Sequence, residues 1–281
     1  MAAQPFRWPE GIRIGVSLCF DVDAESGWIL DPENRKRLSL LSAAAFGRRV
    51  GVERILRLLN RHHITGQFFI PGYTAEIDPD LVRAIDRHGH PIGCHGYYHE
   101  RTDKLTYEEE DGILARSKQI LQEISGKEPK GYRAPLWEVT PQTLDLLAKH
   151  GFLYDSSLMG NDIPYIIPAG NKKLLELPVT WLLDDWEQFA YSAVPQNGTV
   201  IEEPEKVLRM WKAEFSALYQ EGRYFMLTMH PEIIGRASRI AMLDQLIQFI
   251  KGHEGVWFCT PQDIYEAWTK DLLSDLEEHP Y

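Results

Sequence analysis

The chain has 281 residues, 44% of them hydrophobic, and this size and composition fit one α/β domain over residues 1–281 better than two domains. Its net charge of −11 argues against a nucleic-acid partner, because affinity for nucleic acid depends on basic residues that neutralise phosphates. No run of 18 apolar residues occurs, the N-terminal residues lack a signal-peptide pattern, and the three cysteines have no disulfide spacing, so we expect a cytoplasmic protein without a membrane partner.

Apolar runs of the kind that form buried strands alternate along the chain with amphipathic segments. The predicted strands cover residues 13–20, 65–70, 91–94, 131–133, 152–154, 174–178, 224–229 and 256–258. Two apolar stripes have helical spacing, and they consist of Val52, Ile55, Leu56 and Leu59, and of Ile113, Leu114, Ser117, Ile120, Leu121 and Ile124. Thr140 before Pro141 and Thr260 before Pro261 indicate two more helix starts. This alternation predicts a parallel sheet closed as a barrel.

Acidic residues and histidines follow two of the predicted strands. Asp21 and Asp23 come where the first strand stops, and His95 and His99 follow the short run HPIGC. Two histidines at i and i+4 face the same way when the segment turns helically, so both rings can reach one metal ion. Parallel α/β folds place their active sites at the carboxyl ends of strands, so we expect both segments to face one mouth. For the histidine pair taken alone, a surface or core role is the alternative.

Residues 24–49 interrupt the alternation before the first predicted helix. The segment carries Trp28, a charged cluster over residues 31–37 and the small-residue run SAAAFG. A loop of this length in a compact domain is usually a lid, a binding loop or an oligomer contact.

Four motifs occur in a fixed order between Phe20 and His230: FDVD, HGYYH, RAPLW and FMLTMH. In these motifs the chain resembles the polysaccharide deacetylase superfamily, the metal-dependent deacetylases of the carbohydrate esterase family four type. The resemblance implies an α/β fold, a distorted (β/α) barrel with seven or eight mostly parallel strands.

The resemblance also implies roles for single residues. Asp23, His95 and His99 would hold one divalent metal ion, for which we predict zinc, and Asp21 would be the catalytic base. An orienting contact to a histidine ligand is the alternative role for Asp21. Arg133 would pair with the base carboxylate and fix its orientation. A metal ion lowers the pKa of bound water from 15.7 toward about 7, which provides the nucleophile of a hydrolase.

The resemblance implies that His230 is the catalytic acid, and an ordinary pKa of about 6.5 suits a histidine to proton transfer near neutral pH. The family's aspartate that orients this histidine is poorly marked here. Asp185 is the best match, and Asp184 is the next candidate. Asp155 is more readily interpreted as the structural end of a strand.

Five aromatic residues lie in or next to the motif loops, namely Trp28, Tyr97, Trp137, Trp181 and Trp186. Aromatic walls bind planar imide rings or the apolar faces of sugars, so these residues are candidate substrate contacts. Core packing is the alternative for each of them.

The segments FGRRVGVERIL and HPEIIGRASR resemble a branch of the superfamily that includes cyclic imide hydrolases, allantoinase-like enzymes and intracellular peptidoglycan deacetylase relatives. We therefore predict a metal-dependent amidohydrolase that opens a small cyclic imide or related cyclic amide, with a small molecule as its substrate. One alternative is N-deacetylation of an N-acetylated sugar or peptidoglycan fragment. Another is a non-catalytic homologue that binds small ligands. We also expect a homo-oligomer, either a dimer or a tetramer.

Overall fold

The computed structural model describes residues 7–269, so residues 1–6 and 270–281 of the predicted domain lie outside the described part. Nine strands occur within it, namely β1 (Ile14–Asp21), β2 (Gln67–Ile70), β3 (Ile92–Cys94), β4 (Gly131–Tyr132), β5 (Tyr154–Asp155), β6 (Tyr165–Ala169), β7 (Lys172–Glu176), β8 (Tyr224–Met229) and β9 (Val256–Phe258). The eight predicted strands are all present, and their boundaries agree to within two residues. β6 is the strand that the sequence did not predict.

The strands form one sheet in the order β6-β7-β5-β4-β3-β2-β1-β8, with β9 paired to the first half of β1. β6 runs antiparallel to β7, and every other recorded strand pair is parallel. The predicted α/β fold with mostly parallel strands is confirmed. The predicted closure of the sheet is corrected: within residues 7–269 the sheet is open, since β6 and β8 lie at opposite ends of the strand order and do not pair.

β1 is buried along its whole length, as expected for a central parallel strand. Its even-numbered residues from Ile14 to Phe20 belong to the larger hydrophobic cluster, which also contains the helices' apolar faces. Cys19 belongs to a smaller cluster on the other face. Because side chains alternate along a strand, Asp21 projects on the same side as Cys19, and β1 ends with its carboxylate on that inner face.

Twelve α-helices occur in the described residues, and they are α1 (Ser26–Ile29), α2 (Leu38–Phe46), α3 (Val52–His62), α4 (Gly72–Ile77), α5 (Pro79–Arg87), α6 (Tyr107–Ser125), α7 (Pro141–Lys149), α8 (Asp185–Phe189), α9 (Pro204–Glu221), α10 (Pro231–Ile234), α11 (Ala237–Lys251) and α12 (Pro261–Thr269). The two predicted apolar stripes form α3 and α6. Thr140 caps α7, because its hydroxyl accepts the backbone N–H of Thr143. No helix in the described range combines the length and apolar character that crossing a membrane requires.

The segment over residues 24–49 is helical rather than a long loop, which corrects the sequence interpretation. It contains α1, a 3₁₀ turn at Asn34–Lys36 and α2, and a π-helical turn at Gly47–Gly51 leads directly into α3. The Leu- and Ala-rich sequence of α2 favours a helix, and burial of Leu40, Ala44 and Ala45 fixes one of its faces.

The π-helical turn lies against α10, the short helix that follows His230. A methyl group added at Gly51 would lie 2.1 Å from the carbonyl oxygen of Pro231, far closer than van der Waals contact. The absence of a side chain at Gly51 therefore permits the backbone approach that positions α10.

We expect Gly51→Ala to lower the free energy of unfolding by about 1–3 kcal/mol, because backbone must move to admit the methyl group. Gly112→Ala is the control, since a methyl group there would meet nothing within 4 Å inside α6. It should stabilise the protein by about 0.5–1 kcal/mol. Chemical denaturation measures both, and equal effects at the two positions would contradict the close packing of α10.

Two carboxyl groups lie opposite each other at the ends of β5 and β7. Asp155 pairs in register with Glu176, and both are fully buried. Asp155 thus ends a strand, as the sequence suggested. Glu176 accepts the backbone N–H groups of Ser157 and Leu158, while one oxygen of each carboxyl has no donor among the described residues, which a shared proton would satisfy.

Burial raises the pKa of Asp155 from 3.8 to about 6 and raises the pKa of Glu176 well above its usual range. Folded protein then keeps protons that the unfolded chain loses, so this pair costs stability as the pH rises from about 4 through 6. We expect Glu176→Gln, which keeps the acceptor oxygen, to raise the free energy of unfolding by on the order of 1–3 kcal/mol near pH 8 and little near pH 4. Denaturation at both pH values measures the difference. The exposed Glu123→Gln is the control, and an equal gain at both pH values would refute the shared proton.

Candidate active site

Asp23, His95 and His99 lie together at the carboxyl ends of β1 and β3. The Nε2 atom of His95 is 3.3 Å from Asp23 Oδ1, and the Nε2 atom of His99 is 3.4 Å from Asp23 Oδ2. Their ligand atoms all lie within 4.8 Å of one another. The structure therefore brings together the three residues that the sequence predicted as metal ligands.

The atoms left unpaired at this cluster fit a metal ion. His95 donates from Nδ1 to the backbone carbonyl of Arg133 at 2.7 Å, so its Nε2 carries the lone pair. That Nε2 and Asp23 Oδ1 are buried without a hydrogen-bond partner in the described chain. Burial alone would raise the pKa of Asp23, but His99 and His95 hold it well below its usual range. A carboxylate and two imidazoles are a donor set that suits a divalent ion such as zinc.

The segment that carries the histidines is not helical, which corrects the reason given for their proximity. Residues 95–100 form an irregular turn after β3. Gly96 has φ +64° and His99 has φ +62°, and this reversal brings the second imidazole back toward Asp23. Left-handed φ values are unusual for a non-glycine residue, and they also occur at Ala24, Leu136 and Trp137 beside the same cavity.

Arg133 connects the predicted base to the rest of the site. Its guanidinium is fully buried and donates from Nη1 to Asp21 Oδ1 at 2.8 Å. The other side of the guanidinium donates to Ser156, from Nε to the backbone carbonyl and from Nη2 to the hydroxyl. These bonds fix the Asp21 carboxylate at the inner face of β1. The sequence did not identify Ser156.

His230 follows β8 and lies beside the metal-ligand cluster. Its Nδ1 is 2.7 Å from Asp185 Oδ1 and 3.6 Å from Asp184 Oδ1, and its Nε2 is 3.8 Å from Asp23 Oδ2. Asp185 also accepts the backbone N–H of His230. Asp185 is therefore placed to orient the histidine, as the sequence proposed.

The electrostatic environment favours the protonated ring. Burial would lower the pKa of His230, but the carboxylates of Asp184 and Asp185 outweigh it and hold this pKa well above its usual value. Burial raises the pKa of Asp184 to about 7. Asp184 also caps α8 by accepting the backbone N–H of Trp186. These carboxylates thus favour the protonated form of His230 at the edge of the cluster.

A cavity of about 400 Å³ with tryptophans in its walls is lined by Asp21, Asp23, His95, His99, Asp184 and His230. Four of the five predicted substrate contacts line it, and they are Trp28, Trp137, Trp181 and Trp186. The rings of Trp137 and Trp181 stack with centroids 4.2 Å apart, and Trp186 lies edge-on to His230 at 5.1 Å. The reaction centre therefore has flat apolar walls close to the proposed acid.

Tyr97 does not line this cavity, so its position does not support the predicted substrate contact. Its ring is buried beneath the guanidinium of Arg116 at 4.0 Å, and its hydroxyl donates to Glu76. These contacts join α4 to α6 behind the histidine turn. Tyr97 is better explained as packing that supports the turn.

The structure adds residues that the sequence reading did not select as site residues. The cavity wall also includes Leu136, Asn197, Glu187 and Glu232. Glu232 is buried, and neither of its carboxyl oxygens has a hydrogen-bond partner in the described residues. Its position two residues after the motif histidine was a usable signal, whereas Asn197 lies in a segment without a recognisable motif.

Comparison with known proteins finds similarity to deacetylases and to an allantoinase. The polysaccharide deacetylase family model matches residues 45–154. A peptidoglycan deacetylase of Helicobacter pylori is 31% identical over 284 residues, covering 92% of this chain and 97% of that protein. A structure from Mycobacterium smegmatis assigned to the polysaccharide deacetylases is 40% identical, with a TM-score of 0.93 and coverage of 99% and 97%. The structure of Puue allantoinase is 28% identical, with a TM-score of 0.82 and coverage of 94% and 93%.

We expect the protein to bind one divalent ion per chain and His99→Ala to lose it, because a carboxylate and a single imidazole leave too few protein ligands. Elemental analysis after dialysis against zinc measures the content. His88→Ala, an exposed histidine at the end of α5, should keep full content. Stoichiometric metal in His99→Ala would remove this residue from the ligand set.

Proposed function

Because this chain belongs to the polysaccharide deacetylase family, we propose that it hydrolyses an amide C–N bond in a small cyclic imide or related cyclic amide. Membership confirms the sequence prediction of an enzyme of the metal-dependent amidohydrolase type. Zinc as the ion, the roles of individual residues and assembly into a dimer or tetramer stay predictions.

The observation that carries the proposal is the shape of the cavity over the metal-ligand cluster. A volume of about 400 Å³ lies at the small end of the usual range for ligand sites, roughly 300–1,000 Å³. Tryptophan faces bind a planar ring by burying its apolar surface while leaving its polar edge free. A small ring amide is therefore well matched to the walls. The similarity to Puue allantoinase agrees with a small substrate.

The chemistry at this site divides between the cluster and two proton-transfer groups. Asp23, His95 and His99 would hold a divalent ion, which would supply water of lowered pKa and polarise the substrate carbonyl. Asp21 accepts the proton of the attacking water, and Arg133 holds its carboxylate toward the cavity. The oxygen of that water bonds to the carbonyl carbon as the nucleophile.

Breaking the C–N bond requires a proton on the leaving nitrogen, because an amide anion is a poor leaving group. His230 donates that proton from Nε2, while Asp185 accepts from Nδ1 and fixes the ring orientation. The products are a carboxylic acid and a free amine or amide nitrogen. In this scheme Asp21 and His230 act on opposite sides of the scissile carbonyl.

N-deacetylation of an N-acetylated sugar is the second candidate. The relative from Helicobacter pylori that matches almost the whole chain is a peptidoglycan deacetylase. The same groups serve either reaction, since both hydrolyse an amide. The stacked pair Trp137 and Trp181, half exposed at the second ring, also offers a surface for the apolar face of a sugar. The substrate's shape distinguishes the two candidates.

We expect the zinc-loaded enzyme to open at least one ring in a panel of succinimide, glutarimide, dihydrouracil, hydantoin and allantoin, and to leave chitooligosaccharides unchanged. Mass spectrometry separates the outcomes, since ring opening adds one water and deacetylation removes an acetyl group.

His230→Ala should lower kcat by on the order of 10²–10⁴ with metal content kept, the range for general acid-base groups. His88→Ala is the matched control.

Deacetylation of the chitooligosaccharides without turnover of any ring would replace the imide proposal with the second candidate. A rate near that of the unchanged enzyme in His230→Ala would remove this histidine from the mechanism in either case. The products formed from the panel test the substrate class, and kcat of His230→Ala tests the catalytic acid, so the two proposals can fail independently.

A further inference from the structure

A second cavity of about 530 Å³ adjoins the reaction cavity. The two cavities have Trp28, Trp186, Asn197 and Glu232 in common as wall residues. The remaining wall of the second cavity comes mainly from α2 and the segment that follows α8, with one residue each from α8 and α10 and three arginines. A substrate at the metal-ligand cluster would therefore lie next to the second cavity.

The walls of the two cavities carry opposite charges. Five acidic residues and no lysine or arginine line the reaction cavity in the described chain. Arg37, Arg236 and Arg239 line the second cavity, where Glu232 is the only acidic lining residue in the described range. The reaction cavity thus suits a metal cation, and the second cavity suits an anion.

The three arginines have no ion-pair partner among residues 7–269, since no carboxylate oxygen lies within 4.0 Å of their side-chain nitrogens. This is unexpected in a chain with 41 acidic and 30 basic residues, where carboxylates are plentiful. The carboxylates of Asp185 and Glu232 act on Arg239 and Arg236 only at longer range. Half-buried guanidinium groups without close counter-charges are ready to bind an added anion.

Each guanidinium is nevertheless held in place. Arg236 donates from Nε to a backbone carbonyl of α10 at 3.1 Å and lies 3.6 Å above the ring of Phe46. Arg239 donates from Nη1 to another carbonyl of α10 at 3.3 Å and lies 4.6 Å above the ring of Phe189. Arg37 donates from Nη1 to an asparagine side chain. Fixed guanidinium groups lose little entropy when a ligand binds their remaining N–H donors.

The start of α11 adds to the positive potential. Arg236 is the N-cap residue and Arg239 lies in the first turn, which contains no acidic residue. A helix N-terminus carries partial positive charge, so cations there are disfavoured unless an anion is near. Burial also lowers the pKa of both arginines. An anion bound in this cavity would offset both costs.

Glu232 forms part of the boundary between the cavities. Burial raises its pKa well above the usual range, which disfavours its charged form. Neither carboxyl oxygen has a hydrogen-bond partner in the described residues. Burial at this position thus works against a negative charge beside the arginines.

We propose that the second cavity is a subsite for an anionic arm of the substrate, and that the arm ends in a carboxylate bound by Arg37, Arg236 and Arg239. The inference rests on the proposed function in taking the adjoining cavity as the place of C–N hydrolysis. Arginine pairs with a planar carboxylate through two parallel N–H donors. The apolar wall residues Leu40, Ala44, Phe189 and Ile233 suit the hydrocarbon part of such an arm.

Calorimetry with glutarate, glutaramide and inorganic phosphate tests the subsite without turnover. Glutarate should bind the zinc-loaded enzyme, and its uncharged analogue glutaramide should not. Arg236→Gln and Arg37→Gln should each weaken glutarate binding about tenfold, or about 1.4 kcal/mol. Arg209→Gln is the matched control, since Arg209 is exposed on α9 and lines neither cavity.

His99→Ala separates this subsite from glutarate bound at the metal-ligand cluster, because it should lose the metal and keep glutarate. Unchanged glutarate affinity in both Arg236→Gln and Arg37→Gln overturns the inference. Loss of glutarate binding in His99→Ala also overturns it. If phosphate binds more tightly than glutarate and its binding depends on the same arginines, the proposal of a carboxylate arm is overturned and the arm ends in a phosphate.

Turnover gives a second readout. Hydantoin-5-acetic acid should have a higher kcat/KM than 5-propylhydantoin, mainly through a lower KM. The ratio of these two kcat/KM values should fall about tenfold in Arg236→Gln. Equal ratios in the two proteins count against the subsite. If neither hydantoin reacts, the ring proposal loses support, whereas glutarate binding still decides the subsite.

Discussion

The buried ion pair between Asp21 and Arg133 is the interaction on which the site depends. It joins the end of β1 to the end of β4, and neither side chain is exposed to solvent to any useful extent. The backbone carbonyl of the same arginine accepts from His95, so one residue orients both the proposed base and a metal ligand. Removing either charge would leave the other buried without compensation, which costs several kcal/mol. The pair is therefore a structural constraint as well as part of the proposed chemistry.

Several carboxyl groups lie close together beside this ion pair. Asp21, Asp23 and Asp184 meet in one cavity, and Arg133 neutralises only the first of them. The remaining charge is compensated by His230 and by any cation bound at the histidines. A divalent ion would therefore stabilise the fold as well as activate water, since ligand groups that repel one another become attracted to a common centre. The left-handed backbone at His99 and Ala24 shows that this arrangement is held against local preference.

Sequence patterns predicted the strands that carry the site because their signals are local. β1 and β8 are long apolar runs that end in Asp21 and His230. β6 was missed because its apolar run is short and is interrupted by Pro168. The two residues between β6 and β7 begin with Gly170 at φ +59°, as a tight hairpin requires. The turn that returns His99 to Asp23 was read as helical, because spacing alone does not distinguish a helix from a left-handed reversal.

Contacts between distant segments are what the sequence could not supply. The helical segment after Asp23 packs through Gly51 against α10, and Arg236, which follows α10, donates to the carbonyl of Ala43 in α2. No periodicity in either segment indicates that they share a cavity. Two different electrostatic environments adjoin at lining residues that both cavities share, among them Trp28 and Glu232. An acidic reaction cavity beside a basic one can select a substrate that is neutral at the scissile amide and negative at a distance. The acidic residues would repel the negative group of such a substrate, and the arginines of the second cavity would attract it.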